Sequence, residues 1–315
     1  MPELTYLGAD ILTSIRNAGM IPNTGATGSQ DADLLRHASE GIISYVVAKI
    51  NQLREQYYYR RLREPVTSGT ATYRIPKRAL WNKLANVWLI QNSDRIPMNP
   101  IPHEELEDYA FIGVAGVPAG YLIDGNYLRF VPDESPSLSG SIEWNFYLRP
   151  GNLVLVSECR QVTAVATPSV TLDSAVPASW SAADKFDIHS NASGCDYKDF
   201  ELEASVVSGT GITFTREIDG SVYGTYAVEV GDYVCLEKTV ALPGVPPELF
   251  PQVARMAAMH WAEATGNQKK FEAHANIFNE YLKVTMGSME VRIEEKPLRI
   301  GTRPSFIDHQ GGDVF

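Results

Sequence analysis

The side chains best suited to chemistry are scattered along the chain. His260 and Glu263 stand one helical turn apart in an Ala-rich stretch, and Glu272 and His274 follow on the next predicted helix. Neutral imidazole and carboxylate together suit zinc or iron, so a metal site can be drawn from these four. Trp261 beside His260 makes a hydrogen-bonded packing role the stronger reading. Asp196, Asp199, Glu201 and Glu203 crowd into a short acidic stretch. They could include an acid/base pair, but glycosidase carboxylates must lie ~5–10 Å apart in space, which chain spacing does not fix. Cys159, Cys195 and Cys235 are odd in number and widely spaced. They offer neither a disulfide framework nor the paired C-x-x-C of zinc sites, and read as buried small hydrophobes. Phosphate loops, nucleophile elbows and H-E-x-x-H are missing, and Gly113, Gly116 and Gly120 do not make a dinucleotide fingerprint. No catalytic residue, cofactor or metal site is assigned, and the chain reads as a non-enzyme.

One further cluster invites a functional reading. Tyr57, Tyr58 and Tyr59 run into Arg60, Arg61 and Arg63. Aromatic rings among cations can form a stacking platform for single-stranded nucleic acid. A strand with arginines outward and tyrosines inward is the plainer account. The same residues suit a protein interface, since Tyr and Arg are enriched in contact hot spots. Tyr57, Tyr58, Tyr59, Arg60 and Arg61 are therefore the candidate subunit-interface residues.

The elements that must position these groups follow from composition and pattern. The chain has 315 residues, 44% hydrophobic and 21% charged, enough to bury a core. It has no apolar run of the ~18 residues a membrane helix needs, and Met1–Asp10 lacks the pattern of a secretory signal. The formal charge of −11 is uneven: residues 150–245 hold 13 Asp or Glu against 5 Lys or Arg. Such a chain is not built to grip phosphate backbones.

Residues 4–17 have helical spacing, and a long helix is predicted from Asp31 to Tyr57 on the stripe Leu34, Leu35, Ala38, Ile42, Val46, Ile50 and Leu53. Tyr57–Tyr59 and Thr70–Ile75 read as strands, Lys77–Leu84 and His103–Ala110 as short helices, and Val87–Ile90 as a strand. Asp124-Gly125 between apolar runs marks a hairpin, with Ser141–Leu148 as its predicted sheet neighbour. Short strand-like runs with turn signals fill 153–242, arguing for a small sandwich or barrel. Pro246-Pro247-Glu248 opens a helical hairpin, Leu249–Thr265 and Gln268–Met286, and Gly301–Phe315 reads as a flexible tail.

The order of these features resembles the head-to-tail adaptor proteins that sit below the portal in tailed bacteriophages. The residues that carry the resemblance are the helix Asp31–Tyr57, Tyr73-Arg74-Ile75-Pro76-Lys77-Arg78-Ala79, the strands Tyr127–Pro132 and Glu143–Pro150, and Leu242–Leu249 before an Ala-rich helix. The resemblance implies a homo-oligomeric ring of about twelve copies, docked on the portal protein, joined to tail or neck proteins, with double-stranded DNA passing through without sequence-specific binding. Helices 31–57 and 247–286 would form the ring wall. The tail would grip the portal, through Val291, Ile293, Leu298, Ile300, Phe306, Ile307 and Phe315. The protein would be a structural virion component of the neck, made in the bacterial cytoplasm, with no membrane partner.

With the resemblance, the fold reads as α+β: a helical core of long antiparallel helices plus a small sheet, with an inserted β-sandwich or barrel domain. Its parts are 1–150 (helical part with hairpin and sheet), 151–245 (acidic β-rich domain), 246–288 (helical hairpin completing the core) and 289–315 (extended tail). The competing readings are another neck protein, such as a stopper or terminator, and a glycan-binding or hydrolytic protein that uses the β-domain.

Overall fold

A computed structural model describes residues 8–21, 28–53, 55–67, 69–92, 94–106, 118–131, 140–191, 197–220 and 227–289. Three helical segments come first: α1 (Gly8–Gly19), α2 (Gly28–Gly41) and α3 (Val47–Leu53), the last two joined by a π-helical turn, Ile42–Val46. The apolar stripe read from the sequence is what this run buries, since Leu34, Leu35, Ala38, Ile42, Val46 and Ile50 are all inaccessible. Arg16 of α1 pairs with Asp31 of α2.

The strands that follow are β1 (Tyr59–Pro65), β2 (Thr72–Arg74), β3 (Ala79–Gln91), β4 (Asp94–Met98), β5 (Gly120–Asp124), β6 (Tyr127–Val131), β7 (Ser141–Leu148) and β8 (Asn152–Leu153). Strands β1, β7, β3 and β4 form one antiparallel sheet in that order, and β2, β6 and β5 a second. Gly125, at φ +59°, makes the turn between β5 and β6. Ser141–Leu148 is not that hairpin's neighbour but lies in the four-stranded sheet, between β1 and β3. One face of β7 (Ile142, Trp144, Phe146, Leu148) joins α1–α3 in a single core.

Strands β9 (Arg160–Ala166), β10 (Ser169–Leu172), β11 (Lys185–His189), β12 (Tyr197–Ser208), β13 (Gly211–Phe214) and β14 (Tyr233–Leu236) close a barrel in the order β10-β13-β12-β11-β14-β9. Its interior is filled by Val162, Trp180, Phe186, Leu202, Phe214 and Val234, among others. The chain returns through β15 (Thr239–Val240), which pairs in parallel with β8. The barrel thus leaves and rejoins the body through two neighbouring strands. Helices α4 (Phe250–Ala264) and α5 (Gln268–Met289) finish the described chain, turning at Gly266 with φ +71°.

The expected fold class is overturned. Among the described residues sheet makes up 37% and helix 34%, and they contain no long antiparallel helical core. The reason lies in what the apolar stripes face. Leu34, Leu35 and Ile42 share one core with Trp144 and Phe146 of the sheet and with Val253 and Ala257 of α4, so the helices bury against strands as well as one another.

Two local expectations fail for other reasons. Lys77–Leu84 is not a helix but opens strand β3, and Trp81 and Asn82 adopt positive φ (51° and 56°) there. The register to β7 shifts between Ala79 and Leu84, and this bulge breaks the two-residue period by which a strand is recognised. Tyr57 and Tyr58 lie in a one-turn helix, Glu55–Tyr58, and the strand begins only at Tyr59. The predicted helix His103–Ala110 is a single turn over His103–Glu105, and residues 107–110 lie outside the described ones.

Candidate functional site

Alternation along β7 turns Glu143 and Asn145 away from the side of Ile142, Trp144 and Phe146, while Tyr147 at the strand's end is buried with the core. The register sets Arg63, Arg61 and Tyr59 of β1 opposite Glu143, Asn145 and Tyr147. On the other side β3 places Trp88 against Glu143 and Asn86 against Asn145, and Arg95 of β4 lies 4.3 Å over the Trp88 ring. Glu143 is fully inaccessible although it belongs to the outward face. Arg63 Nε donates to it at 2.9 Å, Arg95 also pairs with it, and Arg61 Nη1 stands 3.9 Å away. Burial alone would raise the pKa of this carboxyl. The Arg63 hydrogen bond and the charges of Arg95 and Arg61 outweigh that and hold it below the usual carboxylate range.

The same face is braced by neutral groups. Tyr59 donates to Asn145 Oδ1 (2.7 Å), Trp88 Nε1 donates to Asn86 Oδ1 (2.8 Å), and Lys83 Nζ sits 4.5 Å from the Tyr147 ring centroid. The result is a flat, cross-linked surface of Arg, Lys, Trp and Tyr on an acidic protein. Each part restrains its neighbour before any partner arrives, which lowers the entropy lost on contact.

A second polar group lies where barrel meets body. Arg78, next to β3, is buried and pairs with the equally buried Asp187 of β11, and its Nη2 donates to the Arg149 carbonyl (3.2 Å). Asp187 also accepts the N–H groups of Glu201 (2.9 Å) and Lys238 (2.8 Å). Burial would lower the Arg78 pKa, but Asp187 and Tyr197 raise it above the ordinary value. Nearby, Asp199 accepts from Arg216 Nη2 at 2.6 Å, and burial pushes its carboxyl up to about 7 against that pull.

Beside this junction the structure joins Cys159 and Cys235 in a disulfide, with His189 Nε2 3.3 Å from Cys235 Sγ. All three residues are buried. Burial lowers the His189 pKa to about 4, so the ring is neutral. The expectation of unpaired structural cysteines is therefore corrected for two of the three, while Cys195 lies outside the described residues. In a closed barrel the first strand meets the last, and β9 and β14 are those strands. Reading 153–242 as closed would have brought the two cysteines together.

The other predicted groups separate. His260 stacks on His37 (6.2 Å between rings) and lies 3.6 Å from Glu263, while Glu272 accepts from Gln268 at 3.0 Å. Burial, then Arg255 and Lys270, lower the His274 pKa. Among the described residues, the one His/Cys/Asp/Glu trio close enough to hold an ion is Cys159, His189 and Cys235, not the C-terminal helices' four. Glu203 is an exposed partner of Lys185 (2.8 Å), Glu201 has positive φ (55°), and Asp196 lies outside the described residues.

Of the candidate interface residues, Tyr58 is a core residue, its hydroxyl donating to the Gly244 carbonyl at 2.9 Å. Tyr57 packs edge-on against it at 4.9 Å. Tyr59 and Arg61 do reach the braced face, and Arg60 Nη1 donates to the Tyr59 carbonyl (2.8 Å). Sequence reasoning missed Arg95, Trp88 and Glu143, which come from three strands and share no local motif. Val291, Ile293, Leu298, Ile300, Phe306, Ile307 and Phe315 lie outside the described residues.

A cleft of about 450 Å³ runs between α2 and β8, edged by Arg36, Glu40 and Glu158. Arg36 is paired with Glu40 (3.3 Å) and Asp33 (3.6 Å), and Ser39 is occupied by the Leu153 N–H (2.8 Å), so these groups serve each other. No described helix is long and apolar enough to cross a membrane. No protein-family model matches this chain, and no curated protein matches it.

Proposed function

We propose that the chain is a structural assembly protein, a head-to-tail adaptor of a tailed bacteriophage, whose copies associate through the braced face of the β1-β7-β3-β4 sheet. The observation that carries the reading is Glu143 buried under Arg61, Arg63 and Arg95 on an outward sheet face, with Trp88 and Tyr147 clamped alongside. A flat, pre-ordered surface of Arg, Trp and Tyr is the composition of a contact hot spot and unlike the concave apolar pocket of a small-molecule site. Its positive charge meets a ready counterpart, because residues 150–245 of a neighbouring copy are strongly acidic. A face of one kind meeting a surface of another is a head-to-tail contact, which closes into a ring when the rotation allows. In this reading the ring sits in the virion neck, bound to portal and to tail or neck proteins, with DNA passing through it.

The test is the mass of the full chain in solution, alone and with the portal protein encoded in the same genome. A ring of about twelve copies, alone or on portal, is expected, and Arg63→Glu with Arg95→Glu should prevent it. A chain that stays monomeric in both conditions overturns the proposal.

A further inference from the structure

The disulfide occupies a particular place in the barrel. The seam between β9 and β14 is short, pairing Tyr233 with Gln161 and Val234 with Arg160. One step further along this antiparallel register sets Cys235 opposite Cys159, with Cα atoms 4.6 Å apart. His189 is on β11, the strand on the other side of β14, and its register partner is Tyr233. By strand alternation Cys235, Tyr233 and His189 point out of the barrel, toward the covering segment that holds Ala241 and Leu242.

The imidazole is oriented rather than merely enclosed. Its Nδ1 lies 3.3 Å from the Ser190 carbonyl, which can only accept, so the proton sits on Nδ1 and the Nε2 lone pair faces Cys235. The Tyr233 ring stacks on it at 5.7 Å. An imidazole whose far N–H is fixed by a carbonyl is the usual arrangement of a metal-ligating histidine. The two sulfurs and Nε2 all lie within 4.8 Å of one another.

We propose that Cys159, Cys235 and His189, once the disulfide is reduced, bind a thiophilic metal ion of the zinc type. Two electrons and two protons from a dithiol, which closes to its own disulfide, convert the S–S bond into two thiols. The divalent ion then replaces both thiol protons, which pass to solvent, and takes two thiolates and Nε2 as ligands. Two Cys and one His leave a tetrahedral ion one further position, as in known three-ligand zinc sites. The Ala241 N–H, 3.2 Å from Nε2, turns to a thiolate sulfur when the ion occupies that lone pair. The same three residues thus have two closed states, covalent when oxidised and metal-bridged when reduced. This inference does not depend on the assembly reading.

The experiment uses the full chain, reduced with a phosphine under argon, freed of reductant and titrated with Zn²⁺ and, separately, Co²⁺. One zinc per chain and a sulfur-to-cobalt charge-transfer band in the near ultraviolet are expected, and the oxidised chain should bind neither. Cys159→Ser and Cys235→Ser should each weaken zinc binding by about 100-fold or more, beyond the loss typical of outer-shell changes. His189→Gln, whose amide can still accept from Ala241, should weaken it while leaving the far-ultraviolet circular dichroism unchanged. Cys195→Ser should retain one zinc. A folded, reduced chain that takes up no stoichiometric zinc overturns the proposal, and so does binding that survives both cysteine substitutions.

Discussion

The Arg78 guanidinium and the Asp187 carboxylate, 2% and 0% exposed, form an ion pair that joins the start of β3 to barrel strand β11. Taking two charges out of water is costly, and the pair recovers that cost only through its geometry and added hydrogen bonds. Asp187 has both, accepting two backbone N–H groups besides Arg78. The Arg78 side chain also packs over the Tyr197 ring at 5.2 Å.

Removing the cation should therefore be severe. Arg78→Met keeps the packing volume but leaves the buried Asp187 carboxyl without its cation, with only two backbone N–H donors. We expect a loss of about 3–5 kcal/mol in urea unfolding, the range for a broken buried pair. A loss under about 1 kcal/mol, typical of an exposed pair, would show that water reaches Asp187.

Glu143 gives a prediction with a pH signature. Its folded-state pKa is depressed, so its stabilisation is present above the unfolded value of about 4.3 and is lost as pH falls through the folded one. Glu143→Gln should cost about 1–2 kcal/mol at pH 7, modest because the three arginines are partly exposed and screened. The gap from wild type should close in acid. An equal gap at pH 7 and pH 3 would mean that the charge of Glu143 is not what stabilises the face.

Trp81 separates stability from assembly. It is 59% exposed and holds φ at +51°, a conformation that bulky side chains rarely adopt. Residues kept in such regions cost about 1–3 kcal/mol and cluster at functional sites. Trp81→Gly relieves the backbone, so the monomer should gain about 1 kcal/mol in thermal or urea unfolding. If Trp81 is a contact residue, the same variant should assemble less well. A more stable variant that assembles normally would remove Trp81 from the interface.

The parts of the molecule legible in the sequence are those whose burial follows one local period. Ile11, Ile15, Leu34, Leu35, Ala38 and Ile42 repeat at helical spacing and are buried accordingly. The hairpin at Asp124-Gly125 was readable because its turn chemistry is local. The start of β3 was not, because positive φ at Trp81 and Asn82 inverts the alternation. The braced face was half readable. Tyr59 and Arg61 announce themselves, but Glu143, Trp88 and Arg95 become neighbours only through cross-strand register. Asp187 and His189 look like ordinary solvent-facing strand residues until the body covers that side of the barrel.

The link between Cys159 and Cys235 spans 76 positions of sequence and encloses almost the whole barrel. Tension applied along the chain from the body would pass from sulfur to sulfur and never reach strands β9 to β13 between them. Cutting that link would place the barrel in series with the load and make roughly 250–270 Å of additional contour available on rupture. With no metal held between the reduced thiols, the oxidation state of two atoms thereby sets how far the molecule can be stretched.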